Sequence, residues 1–330
     1  MEDAEPAAII LDARTVPFPL SISVEARRLM AAMVDADGKP YASSGRSPAA
    51  DDHAAWAASR EVVEGMLIER LGPVAAALGA SAEGIVLGGV PVYRASPAGV
   101  APDDRALLDI HGGALVYGGG EACRLNAAVQ AGLYGVRCYG VDYRMPPEHP
   151  YPAALDDCMA AYRALLMEYP GENIIVTSIS AGGNLAAALA LRARDEGLPL
   201  PRALVLLTPE IDLTESGDTF ETNRMVDVVL PKPLMATNLL YAGGHDLSDP
   251  YLSPLFGDLT KGFPPTFLQA GTRDMFLSNA VRFHRALRRA SVVTELHVFE
   301  GMPHGGFGGA PEDEESIAEV RRFITAQWQR

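Results

Sequence analysis

Asn173-Ile174-Ile175-Val176-Thr177-Ser178-Ile179-Ser180-Ala181-Gly182-Gly183-Asn184-Leu185 is the stretch on which the reading of the chain turns. It opens as a short apolar run rich in β-branched residues, the pattern of a buried strand. It then passes through small residues into 185–194, an Ala/Leu-rich segment of high helix propensity. A serine at such a strand-to-helix turn is held up by strained backbone, with free N–H groups of the helix behind it. Two serines compete for that place. Ser180 has Ser178 two residues before it and Gly182 two after, so both flanks are small. Ser178 has the β-branched Val176 at the earlier position, where a tight turn leaves no room. Ser180 is therefore the candidate nucleophile, with a plain helix-capping serine as the bland alternative.

Working outward, 330 residues suffice for one large α/β domain with an inserted or appended cap, or for two domains. A net charge of −15 argues against nucleic acid and anionic membrane surfaces as partners. Cys123, Cys138 and Cys158 are few, odd in number and without C-x-x-C spacing, which points to neither a disulfide framework nor a metal site. The start, Met1-Glu2-Asp3-Ala4-Glu5-Pro6, lacks the basic and apolar regions of a secretion leader. No apolar run approaches the roughly 20 residues needed to span a bilayer. The expectation is a cytoplasmic protein with no metal and no membrane partner.

Residues 1–80 show no strand pattern. Ile22, Ala26, Leu29, Met30 and Met33 recur at helical spacing, as do Trp56, Val63, Met66, Leu67 and Leu71, with a break expected near Gly72-Pro73. Helices joined by the Gly/Ser/Pro-rich 38–48 suggest a cap segment, 1–80, ahead of a catalytic domain, 81–330. Helices simply packed on the core remain the alternative. From residue 84 the rhythm changes. Strand-like runs at 85–93, 106–110, 136–141, 173–177, 203–207, 266–270 and 292–299 are interleaved with helical segments at 121–134, 152–169, 185–194, 278–290 and 312–329. That alternation predicts an α/β fold: a mostly parallel central sheet flanked by helices on both faces. Residues 208–254 break it, with many Asp, Thr, Gly and Pro residues and one helix near 232–241. They read as an excursion onto the cap.

Acyl transfer by serine needs a base, a group to orient it, and donors for the oxyanion. In open parallel sheets such groups collect beyond the carboxyl ends of strands. Of seven histidines, His304 alone follows the last strand, in the loop Gly301-Met302-Pro303-His304-Gly305-Gly306. Asp274, in Gly271-Thr272-Arg273-Asp274, follows the preceding strand. It stands 30 residues before His304, which puts the two loops on adjacent parallel strands. His111-Gly112-Gly113-Ala114 follows 106–110. The amides of Gly112 and Gly113, with that of Ala181, would form an oxyanion hole. Gly118-Gly119-Gly120 lacks the Lys-Ser/Thr of a phosphate loop.

These motifs, in this order, resemble the hormone-sensitive-lipase-like esterases of the α/β-hydrolase fold, which carry an H-G-G-G oxyanion motif and a G-x-S-x-G nucleophile turn. The likeness also rests on Asp142-Tyr143-Arg144-Met145-Pro146-Pro147-Glu148-His149-Pro150, Asp249-Pro250 and Ser253-Pro254-Leu255. It covers roughly residues 85–310 and implies an N-terminal helical cap, a Ser180/Asp274/His304 triad and hydrolysis of short- to medium-chain carboxylic esters without a cofactor. Three departures stand out. Ser178 replaces the first glycine of the turn, and Ile179 stands where the family often has Asp or Thr. Ala114 replaces the third glycine of the oxyanion motif, where backbone donation survives if φ is negative.

The chemistry expected is attack of Ser180 on an ester carbonyl, with His304 as base and then acid, through an acyl-enzyme. Leu115 and Ile179 are candidates to shape the acyl or alcohol pocket and to favour bulky apolar esters. The same triad would serve an amide, carbamate or lactone. A small-molecule receptor on this scaffold is the reading from another class, disfavoured because all three triad residues are present. The resemblance also allows a homodimer paired along 292–299.

Overall fold

The structure, a computed structural model, describes residues 9, 12–44, 47–101 and 103–329. The acidic start, read above as lacking a leader, lies outside them. A hairpin opens the sheet: β1 (Ser81–Leu87) pairs antiparallel with β2 (Val90–Ser96) across Gly88-Gly89. Both glycines have positive φ, 62° and 83°, which a two-residue hairpin turn matched to strand twist demands. The run 85–93 thus spans the turn of a strand pair.

Six strands follow: β3 (Ala106–Ile110), β4 (Cys138–Val141), β5 (Ile174–Ile179), β6 (Ala203–Leu207), β7 (Thr266–Gly271) and β8 (Thr294–Phe299). The eight make one sheet in the order β1-β2-β4-β3-β5-β6-β7-β8. β2 meets β4 antiparallel, and every pairing from β4 to β8 is parallel. The chain builds from β3 outward to β4, then crosses back to lay β5 on β3's other side. The carboxyl ends of β3 and β5 therefore flank a topological switch point, where the loops on either side diverge and leave a crevice.

Alternate residues of each strand enter opposite cores. Leu108, Ile110, Val176, Leu204 and Leu268 pack with α4 (Ala153–Leu165), α5 (Ala181–Asp195) and α8 (Leu277–Arg289). Leu107, Ile175, Val205 and Phe267 pack on the other face with α3 (Glu121–Tyr134) and α9 (Pro311–Trp328). Burial on both faces is why these strands read as unbroken apolar runs. Asp109 is the charged exception, its carboxyl group held in β3 by Asn126 (2.6 Å) and Thr177 (2.9 Å).

The N-terminal segment holds two helices, α1 (Val24–Ala31) and α2 (His53–Leu78). The break expected at Gly72-Pro73 does not occur: α2 runs through Pro73 as one helix of 26 residues. Pro73 and Glu69 are both exposed, so the carbonyl that loses its partner faces water. The apolar stripe of Ala75, buried, and Ile68, Leu71 and Leu78, half-buried, against Leu125, Ala128 and Val129 of α3 holds the two halves in line. α1 instead packs Ala26 and Met30 against Val228, Met302 and Phe307, beside the last sheet loop. The excursion between β6 and β7 carries α6 (Thr219–Thr222) and α7 (Met235–Ala242). Among the described residues no helix is long and apolar enough to cross a membrane.

Candidate active site

Ser180 sits at the join of β5 and α5 with φ 56° and ψ −126°, a conformation that side-chain-bearing residues rarely adopt. Its N–H donates to Leu207 O (2.9 Å), while its carbonyl accepts from Gly183 N (2.9 Å) and Glu210 N (3.1 Å). The glycines behind it are required by contact. A Cβ on Gly182 would lie 2.0 Å from the Ile110 carbonyl oxygen, and one on Gly183 2.6 Å from Pro209 Cβ. Ser178, in place of a glycine, is buried and donates to Val205 O (3.1 Å). Its hydroxyl thus finds a partner on the neighbouring strand and does not disturb the turn.

The His304 imidazole reaches across the sheet ends. Its Nε2 lies 2.8 Å from Ser180 Oγ, and its Nδ1 lies 3.0 Å from Asp274 Oδ1. The structure thus brings together the three candidates from the ends of β5, β7 and β8. Asp274 is fully buried, and Oδ1 also accepts the Phe276 N–H (2.9 Å). Asn223 pins this loop by donating to the carbonyls of Thr272 (3.1 Å) and Asp274 (2.8 Å). The Phe276 ring meets the imidazole edge-on at 4.9 Å. Burial opposes a charge on His304. The Asp274 carboxylate and its hydrogen bond, then Asp227 and Glu210, outweigh it and raise the imidazole above its ordinary range.

Asp227 was not legible as a site residue. It comes from the excursion, is fully buried, and accepts N–H groups from Val229 (2.9 Å), Leu230 (3.0 Å), Met275 (2.9 Å) and His304 (3.3 Å). It therefore ties the Asp274 loop to the His304 loop. Burial, with Asp274 nearby, raises its own titration. Glu210 was also missed; it is buried beside the nucleophile turn.

The loop after β3 closes the crevice opposite. Gly112 is packed so closely that a Cβ there would sit 2.8 Å from Ile179 O and 3.1 Å from Ser180 Cβ. A Cβ on Gly113 would meet Tyr117 O at 2.2 Å, and φ there is 124°. Among the described residues, the amides of Gly112, Gly113 and Ala181 donate to no backbone carbonyl. They are thus free to serve an anion. His111 stacks on Tyr143 at 4.1 Å and bonds Gly112 O through Nδ1 (2.8 Å), stiffening the loop. From the other side Ser59 meets Tyr117 Oη (3.0 Å), and Arg60 donates to Val116 O (3.2 Å).

Two expectations need correction here. Ala114 does not have negative φ: it stands at 52°, followed by Leu115 at 63°. The loop keeps the glycine-like path of its motif and the alanine carries the strain. Leu115 is not at a mouth. It is wholly buried in the main core, because its left-handed backbone turns the side chain inward. Ile179 is part-exposed beside Gly112.

One trio of potential metal ligands exists among the described residues: His111, Cys123 and Asp142, with ligand atoms within 4.8 Å of one another. Burial holds the Cys123 thiol far above its ordinary range, and Asp142 accepts the Gly120 N–H (3.0 Å). A cleft of about 730 Å³ bordered by Pro170, Pro199, Arg202 and Gln327 lies at the amino ends of β5 and β6, away from Ser180.

A family model described as alpha/beta hydrolase fold matches residues 107–307, the span that holds all three triad candidates. An esterase of Acinetobacter venetianus is 32% identical over 228 residues, covering 67% of this chain and 75% of that protein. An acetyl-hydrolase of Streptomyces hygroscopicus is 33% identical, covering 61% and 68%. The crystal structure of an esterase E25 superposes with a TM-score of 0.87 at 36% identity, covering 98% of this chain and 99% of that one. An esterase from the bacterial hormone-sensitive lipase family superposes with a TM-score of 0.78 at 31% identity, covering 94% and 100%.

Proposed function

From the premise that this chain belongs to the α/β-hydrolase family, among its hormone-sensitive-lipase-like esterases, we propose a serine mechanism for its carboxylic-ester hydrolysis. The observation that carries it is the chain of contacts Ser180 Oγ–His304 Nε2 (2.8 Å) and His304 Nδ1–Asp274 Oδ1 (3.0 Å). With Nδ1–H donated to Asp274, Nε2 accepts the Ser180 proton as Oγ attacks the ester carbonyl. The buried carboxylate then faces the imidazolium it stabilises. The oxyanion forms against the amides of Gly112, Gly113 and Ala181. Each such donor is typically worth about 3 kcal/mol of activation free energy, or on the order of 10²-fold in rate. His304 next protonates the departing alcohol, leaving an acyl-enzyme on Ser180. A water, activated by the same Nε2, releases the acid.

Short- to medium-chain or bulky apolar esters are the substrates this reading favours, with the part-exposed Ile179 beside the reacting carbon. Residues 1–80 with 208–254 act as a cap over the 81–330 catalytic domain. Trp56 of α2 and Leu240 of α7 support this by meeting Val116 of the oxyanion loop. β8 is one of the two edges of the sheet, and pairing of two copies along it would give a homodimer. Three unpaired, buried cysteines support residence in the cytoplasm.

The direct test is labelling with a fluorophosphonate, followed by peptide mass spectrometry. The adduct is expected on Ser180 alone, and a protein that hydrolyses esters yet resists the probe would contradict the serine mechanism.

A further inference from the structure

The oxyanion loop after β3 is held in a conformation that its own residues resist. Gly113, Ala114 and Leu115 stand in succession at φ 124°, 52° and 63°. That region is costly for any residue with a side chain, and such a run persists only where its surroundings over-determine it. Within the loop, the Gly113 carbonyl accepts from Val116 N (3.0 Å) and Tyr117 N (2.8 Å), so the place of that turn sets the place of Gly113. What fixes the turn comes from α2. Trp56, Ser59, Arg60 and Glu64 recur at the spacing of one helix face and all meet this loop. Trp56 packs with Ala114, Val116 and Tyr117, Ser59 Oγ lies 3.0 Å from Tyr117 Oη, and the Glu64 carboxylate faces the amides of Gly118 and Gly119. Arg60 reaches furthest. Its Nε donates to Val116 O (3.2 Å), and its Nη2 donates to Pro146 O (2.7 Å) and to Glu148 Oε2 (3.1 Å). One guanidinium thus joins the loops that follow the adjacent strands β3 and β4.

We propose that Arg60 is a positioning residue for ester hydrolysis, fixing Val116 O from α2 so that the amides of Gly112 and Gly113 stay where the oxyanion forms. The inference rests on the serine mechanism above. Donors aimed at charge that develops only in the transition state are effective when they are already in place as the reaction begins. Binding of the ester itself makes little use of them, so their displacement lowers kcat and spares KM. Released from Arg60, the loop can relax its left-handed residues and carry Gly113 off its place. A lysine does not replace the arginine, because an ammonium is a point charge on a flexible stem and not a rigid fork.

The test compares the full-length wild-type protein with Arg60→Lys and Arg60→Ala. Each is first titrated to completion with a fluorophosphonate, so that rates refer to molecules with a reactive Ser180. Two quantities follow: kcat and KM for p-nitrophenyl butyrate, and Ki for a trifluoromethyl ketone. Ser180 Oγ adds to the carbonyl of that ketone, and the ketone oxygen becomes an oxyanion in the hole. In both variants kcat should fall by about 10- to 100-fold with KM little changed, and Ki should rise by the same factor as kcat/KM falls. Arg60→Lys keeps the charge beside Glu148 and the packing of the stem, so it serves even if Arg60→Ala does not fold. A folded variant with kcat and Ki within about twofold of wild type would overturn the proposal. So would a loss confined to KM, or a fall in kcat with Ki unchanged. A wild-type protein that turns over the ester yet takes up no fluorophosphonate would instead overturn the serine mechanism.

Discussion

The carboxylate of Asp227 lies 3.3 Å from the backbone nitrogen of His304 and 2.9 Å from that of Met275, the residue after Asp274. One buried side chain from the excursion thus fixes the distance between the two loops that carry acid and base. Asp227→Asn keeps an acceptor on one atom but sets an NH2 group against N–H donors on the other. We expect kcat to fall by about 10- to 100-fold with KM little changed, since an ångström of misplacement is costly in such a relay. A loss confined to KM would show that Asp227 touches substrate binding and not the relay.

The pH profile follows from the electrostatics of His304. Its neutral form is the active base, and its pKa is raised overall because the Asp274 carboxylate and its hydrogen bond, then Asp227, outweigh burial. Activity should therefore rise with pH, and the acid limb of kcat/KM should have its midpoint above the ordinary imidazole value of about 6.5. Removing the charge in Asp227→Asn should move that limb to lower pH. A wild-type midpoint below the ordinary value would contradict the arrangement.

Ala114 offers a gain in stability. At φ 52° its Cβ lies in the left-handed region, which costs roughly 1 kcal/mol that glycine avoids. Ala114→Gly should raise the midpoint of thermal unfolding or leave it unchanged, the relief being partly offset by glycine's greater freedom in the unfolded chain. A fall of several degrees would show that the alanine methyl group contributes packing beyond its contact with the Trp56 cluster.

Glu210 ties stability to pH. Burial raises its folded-state pKa from 4.5 to about 8, so across that window the folded protein holds a proton that the unfolded chain has released. Its contribution to stability is therefore whole below the lower value and declines as pH rises through the window. Glu210→Gln removes the decline. The difference in Tm, variant minus wild type, should grow more positive between about pH 5 and about pH 8.5. A difference that is flat or shrinks would mean that the carboxylate is stabilised in a way its contacts do not supply.

Most of the fold was legible because the parallel strands are buried on both faces, which leaves continuous apolar runs. The bounds of β3 and α3 match those read from sequence, since charged or glycine residues mark their ends. Ser180, Asp274 and His304 were legible because each follows a strand in a loop of small residues. What escaped was whatever depends on a neighbour distant in sequence. Pro73 reads as a breaker, yet the contact of α2 with α3 overrides it. Leu115 reads as a pocket residue because it is apolar and near the oxyanion motif. Its left-handed backbone, which no local signal announces, sends it into the core. Asp227 and Glu210 look like ordinary acidic residues of a loop. Only the fold shows that one gathers four amides and that the other is buried beside the nucleophile turn.

The most direct measurement is hydrolysis of p-nitrophenyl butyrate by Ser180→Ala beside the wild-type protein, with thermal unfolding as the control for fold. The account predicts a loss of kcat/KM of about 10⁴-fold or more with Tm held within a few degrees. A folded variant that keeps activity within tenfold of wild type would contradict it, whatever the identity of the natural ester.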